Sequence, residues 1–196
     1  MKIKATSLLA CPVLMTPAVA LAHTGVLADH THTGFAAGLL HPLTGADHLA
    51  AMLAVGVWSA LAVRPVWLAP LAFVGMLLAG ALAAQAGLVL PGVEPMIAAS
   101  LLVLGLLVAM RARLPRAAAV GLCGLFAFFH GAAHGAELGD GAAAWSALAG
   151  MVVATAALHA SGIGLGRWVL ARRQWLARFS GAAVALLGAA LLLRLV

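Results

Sequence analysis

Six apolar runs dictate what this chain can fold into. They cover about 42–63, 66–88, 94–111, 117–137, 141–166 and 176–194. Each approaches the roughly 20 residues a helix needs to cross the hydrocarbon core of a bilayer. Short breaks separate them: Arg64-Pro65, Leu90 to Pro95, Arg111 to Arg116, Gly135 to Gly141, and Arg167 to Arg178. With 65 % hydrophobic and 8 % charged residues, most of the chain belongs in lipid. The expected fold is an all-α, polytopic membrane helix bundle of about six transmembrane helices, and 196 residues make one domain. The 22 glycines and tracts such as Ala142-Ala143-Ala144 let such helices pack closely.

Charge in the breaks alternates. Arg64, then Arg111, Arg113 and Arg116, then Arg167, Arg172, Arg173 and Arg178 fill the first, third and fifth. The second and fourth hold Glu94, Glu137 and Asp140 and no Lys or Arg. The positive-inside rule puts the odd breaks in the cytoplasm and both chain ends in the periplasm of a bacterial inner-membrane protein. Arg194, near the outer end of the last span, snorkels. A net charge of +6 with pI near 11.2 raises nucleic acid as a partner. The arginines form no basic stripe, however, and nucleic-acid binding is set aside.

The N-terminus demands the same orientation. Lys2 and Lys4, an apolar stretch from about Leu8 to Val19, and Ala20-Leu21-Ala22 form a secretory signal over 1–22. Cleavage leaves His23 first, and residues 23–40 become a periplasmic arm carrying His23, Asp29, His30 and His32. That arm is either a metal collector or a solvated tail. The six-span helical domain is 41–196. Leu8-Leu9-Ala10-Cys11 has the outline of a lipoprotein box, but the apolar stretch before Cys11 is too short for one. After cleavage Cys123 is the remaining cysteine, which excludes an intramolecular disulfide.

Two runs put metal-ligand side chains where lipid is expected. One is His41-Pro42-Leu43-Thr44-Gly45-Ala46-Asp47-His48, continuing to Met52; the other is Phe129 to Glu137, with His130 and His134 inside it. Ionisable groups within membrane spans are costly, and by default they mark an ion or substrate path. Histidine with carboxylate is the donor set of a divalent transition metal. On one continuous helix His41, His48 and Met52 share a stripe, and Asp47 serves as a ligand or as the acceptor that orients the imidazole. His130, His134 and Glu137 form a second stripe, which Cys123 extends inward. Both stripes fall at the outer ends of the first and fourth spans, able to face each other. His159 lies deeper. The plain alternatives are a polar network that only holds helices together, apolar filling for Met52 and Cys123, and a solvated loop acid for Glu94.

The pattern His-Pro-x-x-Gly-x-Asp-His-x-x-x-Met-x-x-Val-Gly from His41 to Gly56 and Phe-His-Gly-x-Ala-His-Gly-x-Glu from Phe129 to Glu137 resembles the two signatures of the HupE/UreJ-type nickel/cobalt permeases. Both motifs match without departure, and the resemblance extends over essentially the whole chain. It implies secondary transport of Ni²⁺ or Co²⁺ across the inner membrane, in service of a metalloenzyme or of cobalamin maturation. It also implies functional roles for His41, Asp47, His48, His134 and Glu137, with Glu94 and Phe73 as lesser positions.

Ligand chemistry describes the transport step that follows. Imidazoles and carboxylates suit Ni, Co or Zn better than Mg or Cu(I), and the carboxylates offset the dication's charge in a low-dielectric bundle. Release inward uses His159 or a widened pore. No nucleotide motif is present, so the chain itself does not hydrolyse ATP, and electrochemical entry is the simplest drive. The rival from another class is an intramembrane zinc-dependent hydrolase built on the same histidines; a metal-sensing subunit without flux is the third reading. A homo-oligomer is left open.

Overall fold

The computed structural model describes residues 34–138 and 141–195. The expected signal at 1–22, the arm histidines His23, His30 and His32, and Asp140 lie outside the described residues. Every regular element within them is helical: α1 Phe35–Thr44, α2 Ala46–Ala62, α3 Leu68–Gln85, α4 Val93–Met110, α5 Arg116–Glu137, α6 Ala142–Leu165 and α7 Gln174–Arg194. A π-helical turn, Gly166–Leu170, extends α6. Five helices are individually long and apolar enough to cross a membrane, or six if the bent pair α1 and α2 is one span. This is a multi-pass membrane helix bundle.

One expected span differs. The run at 42–63 is not a continuous helix: α1 and α2 meet at 83° across Gly45. The local chemistry explains the corner. Pro42, inside α1, has no N–H to offer the preceding turn. The His41 carbonyl then accepts both the Thr44 hydroxyl at 3.0 Å and the Gly45 N–H at 3.3 Å, which closes α1. Gly45 is extended (φ −82°, ψ 116°), and its carbonyl accepts Leu49 N–H at 2.9 Å to open α2.

Small residues make the helix contacts, as their abundance suggests. A Cβ on Gly131 would stand 1.9 Å from the Leu77 carbonyl oxygen, so α3 and α5 touch backbone to backbone. Gly38 meets Ala147 in the same way where α1 crosses α6, and Gly105 meets Ala185 between α4 and α7. The centre of the bundle is apolar: Met52, Trp58, Phe73, Leu77, Leu101 and Leu104 are essentially inaccessible. Outward-facing residues such as Leu71, Leu186 and Leu193 stay 68–79 % exposed. Their solvent is the lipid bilayer.

The arginine-bearing breaks gather at one end. Arg116 Nε donates to the Arg64 carbonyl at 3.1 Å, and Trp58 Nε1 donates to the Ala112 carbonyl at 2.8 Å. The π-helical turn joins them, with Gly166 lying against Val57 and Ala60 of α2. Trp67, Trp168 and Trp175 are exposed beside these breaks, where amphipathic rings belong at a membrane–water interface.

Candidate metal centre

At the other end of the bundle three imidazoles converge from three helices. His41 comes from the last turns of α1, His48 from the first turn of α2 and His134 from the last turn of α5. One donor nitrogen from each lies within 4.8 Å of the other two. The ring centroids stand 4.6 Å apart for His48 and His134, 4.7 Å for His41 and His134, and 5.7 Å for His41 and His48. Imidazole nitrogens bind first-row dications at about 2.0–2.1 Å, so small ring rotations bring these donors onto one ion. His48 and His134 are buried and His41 is half-buried.

The expected meeting of the two stripes takes place, but by a different route for His41. It reaches His48 around the corner at Gly45, not along a helix face. A Cβ on Gly45 would sit 3.0 Å from Asp47 Oδ1 and 3.2 Å from His48 Nδ1. Those two atoms are themselves 3.0 Å apart and buried. With the Asp47 carboxylate accepting from His48 Nδ1–H, the ring's lone pair is on Nε2, the arrangement that a carboxylate behind a ligating histidine imposes. Asp47 is thus placed to orient His48 and supply negative charge beside the three rings.

His130 lies one step further in. Its ring is 5.1 Å from His48, and its Nε2 is 3.0 Å from Ser100 Oγ. The Ser100 hydroxyl donates to the Ile97 carbonyl at 2.6 Å, so its oxygen accepts from His130 Nε2–H. The His130 lone pair is then on Nδ1, which has no hydrogen-bond partner among the described residues. Phe73 follows, 5.7 Å from His130, and then His159, 5.2 Å from Phe73. His159 is deep, as its position in α6 suggests, yet one aromatic ring links it to the cluster.

The remaining expected positions lie on α2, α4 and α5. Glu137 is the exposed last residue of α5, and Glu94 is exposed in the first turn of α4. Met52 and Cys123 belong to the apolar core, packed with Phe73, Leu77 and Leu101. The period that put them on the stripes also turns them toward that core. Residues absent from the sequence reading complete the surroundings. Ser100 fixes His130, and Gln85 Nε2 donates to the Gly135 and Leu138 carbonyls at 2.7 and 3.0 Å. Gln85 therefore ties the end of α3 to the turn that carries His134. The signal for both was faint: an uncharged polar residue in an apolar run, whose partner lies 30 to 53 residues away.

Fold and site together define a multi-pass membrane helix bundle whose three convergent imidazoles could hold a metal ion. The family model described as HupE / UreJ protein matches residues 11–191, and the chain belongs to that family. It is 44 % identical over 181 residues to "Protein HupE" of Rhizobium leguminosarum bv. viciae, covering 91 % of this chain and 93 % of that protein. No solved structure matches the chain.

Proposed function

We propose that this chain is a secondary permease that takes Ni²⁺ or Co²⁺ from the periplasm into the cytoplasm across the bacterial inner membrane. The observation that carries this reading is the convergence of His41, His48 and His134 donors within 4.8 Å, at the end of the bundle remote from the arginine-bearing breaks. The positive-inside rule makes the arginine end cytoplasmic, so the imidazoles face the periplasmic supply of ion. Both termini are periplasmic, and the signal over 1–22 is removed. The hydrated dication exchanges water for imidazole nitrogens, a borderline donor set suited to Ni and Co. The Asp47 carboxylate lowers the cost of the ion's charge among apolar helices. Glu137 and Glu94, exposed at the ends of α5 and α4, draw cations toward the mouth, and the histidines of the arm serve the same collecting role.

The test is uptake of radioactive Ni²⁺ and Co²⁺ by cells expressing the chain, each competed with the other metal. Accumulation above cells lacking the chain is expected, with mutual competition wherever both ions share the site. Absence of accumulation from cells whose membranes contain the protein contradicts the reading. A lipid or peptide cleavage product under those conditions favours a hydrolase instead.

A further inference from the structure

Across the Phe73 ring from His130 lies His159, and a second buried polar residue accompanies it on α6. Thr155 and His159 lie four residues apart on one face of α6, each about 1 % exposed. Neither ring nitrogen of His159 nor the Thr155 hydroxyl has a hydrogen-bond partner among the described residues. Buried polar groups are nearly always paired, and those that are not call for an explanation. Helix packing does not supply one. A packing histidine is held as His130 is held by Ser100. A packing hydroxyl turns back to its own helix, as Ser161 does to the Ala157 carbonyl and Ser100 to the Ile97 carbonyl. Thr155 makes no such bond.

The position matches a path. The His159 backbone lies against Gly56, with only 2.3 Å between the His159 carbonyl oxygen and a Cβ at that position. Gly56 is eight residues inward of His48 on α2, about 12 Å along the axis at 1.5 Å per residue. Between the two levels stands the fully buried Phe73, in ring contact with His130 on one side and His159 on the other. A tight site alone captures an ion and then retains it. Conduction needs further, weaker sites and a barrier between them.

We propose that Thr155 and His159 form a second, inner transit site for a partly hydrated first-row dication, separated from the three-imidazole site by the apolar ring of Phe73. The inference rests on the permease reading and adds to it the station from which the ion leaves. One imidazole nitrogen and one hydroxyl oxygen make a weaker donor set than three imidazoles, so the ion passes to this site without being trapped there.

Co²⁺ alone serves as the probe, titrated well past saturation of the outer site into the purified full chain and variants. Wild type is expected to show visible d–d absorption that His134→Ala removes. His159→Cys is expected to add a near-ultraviolet thiolate-to-Co²⁺ charge-transfer band that wild type, with Cys123 in its apolar core, lacks. Thr155→Cys gives the same readout where His159→Cys fails to accumulate. Thr155→Val is expected to lower the maximal uptake rate about tenfold while the half-saturating metal concentration moves less than about twofold, since capture belongs to the outer site. Folded cysteine variants with no added band, or wild-type uptake by Thr155→Val, overturn the inner site. An outer-site absorption unchanged by His134→Ala would instead strike at the permease reading itself.

Discussion

Asp47 and His48 are sequence neighbours whose side chains meet at 3.0 Å, carboxylate oxygen Oδ1 to ring nitrogen Nδ1, with both residues buried. Adjacent residues on a helix normally point apart by about 100°, so this contact depends on the start of α2 at Gly45. In the proposed permease the carboxylate orients the ring and contributes charge. Asp47→Asn keeps the shape, loses the charge and offers an amide that is as able to donate as to accept. Uptake is expected to fall about 10- to 100-fold, the range typical when a ligating histidine loses its hydrogen-bonded carboxylate, while immunoblots find the protein in the membrane at wild-type amounts. Wild-type uptake by this variant would show that the charge is not used.

Gly45 lies under the same pair. Its φ of −82° suits any residue, so glycine is required here by space and not by backbone conformation. A Cβ would meet Asp47 Oδ1 at 3.0 Å and His48 Nδ1 at 3.2 Å. Gly45→Val, with branches beyond that Cβ, is expected to raise the half-saturating metal concentration several-fold, and Gly45→Ala to have a smaller effect in the same direction. Unchanged kinetics in both would separate the corner from metal capture.

Gln85 holds the α5 end from the side of α3. Gln85→Leu removes both donors to the Gly135 and Leu138 carbonyls. These bonds are part-buried, so their loss costs at most the roughly 1–3 kcal/mol of an unsatisfied buried group. The thermal unfolding midpoint in detergent is expected to drop by a few degrees, with weaker metal binding because His134 sits in the loosened turn. A midpoint and affinity equal to wild type would assign Gln85 no positioning role.

The orientation rests on the arginines. A reporter active only in the periplasm is expected to work when fused after Glu94 and to stay silent when fused after Arg113 or Arg172. N-terminal sequencing of mature protein is expected to begin at His23. A reversed reporter pattern would turn the imidazole end toward the cytoplasm and convert capture into export.

Much of this architecture is readable from apolar runs and their punctuation. The runs at 66–88, 94–111, 117–137 and 176–194 become α3, α4, α5 and α7 within a few residues of their ends. The break at Gly45 escapes that reading because α1 is as apolar as α2, so hydropathy runs straight through the corner. Helical period correctly joins His130 to His134 within α5, yet it misjudges His41, whose approach to His48 comes from a bend. Period also cannot tell a donor from core filler. Met52 and Cys123 share the stripes, and both also belong to the apolar cluster that holds Phe73 and Leu77. The partners of His130, Gln85 and Trp58 lie 30 to 54 residues away in the chain, and only the helix packing brings them together.

The most direct test of the central claim is Ni²⁺ and Co²⁺ influx into proteoliposomes holding the purified full chain, with the ion gradient as the only drive. Wild type is expected to carry at least one of the two ions. His48→Ala and His134→Ala are each expected to lose most of that flux, and the double variant to lose little more than either single one, because both residues serve one site. Influx at the wild-type rate in both single variants, with protein incorporated equally, would contradict the account and leave the imidazole cluster as a polar network that only holds the helices.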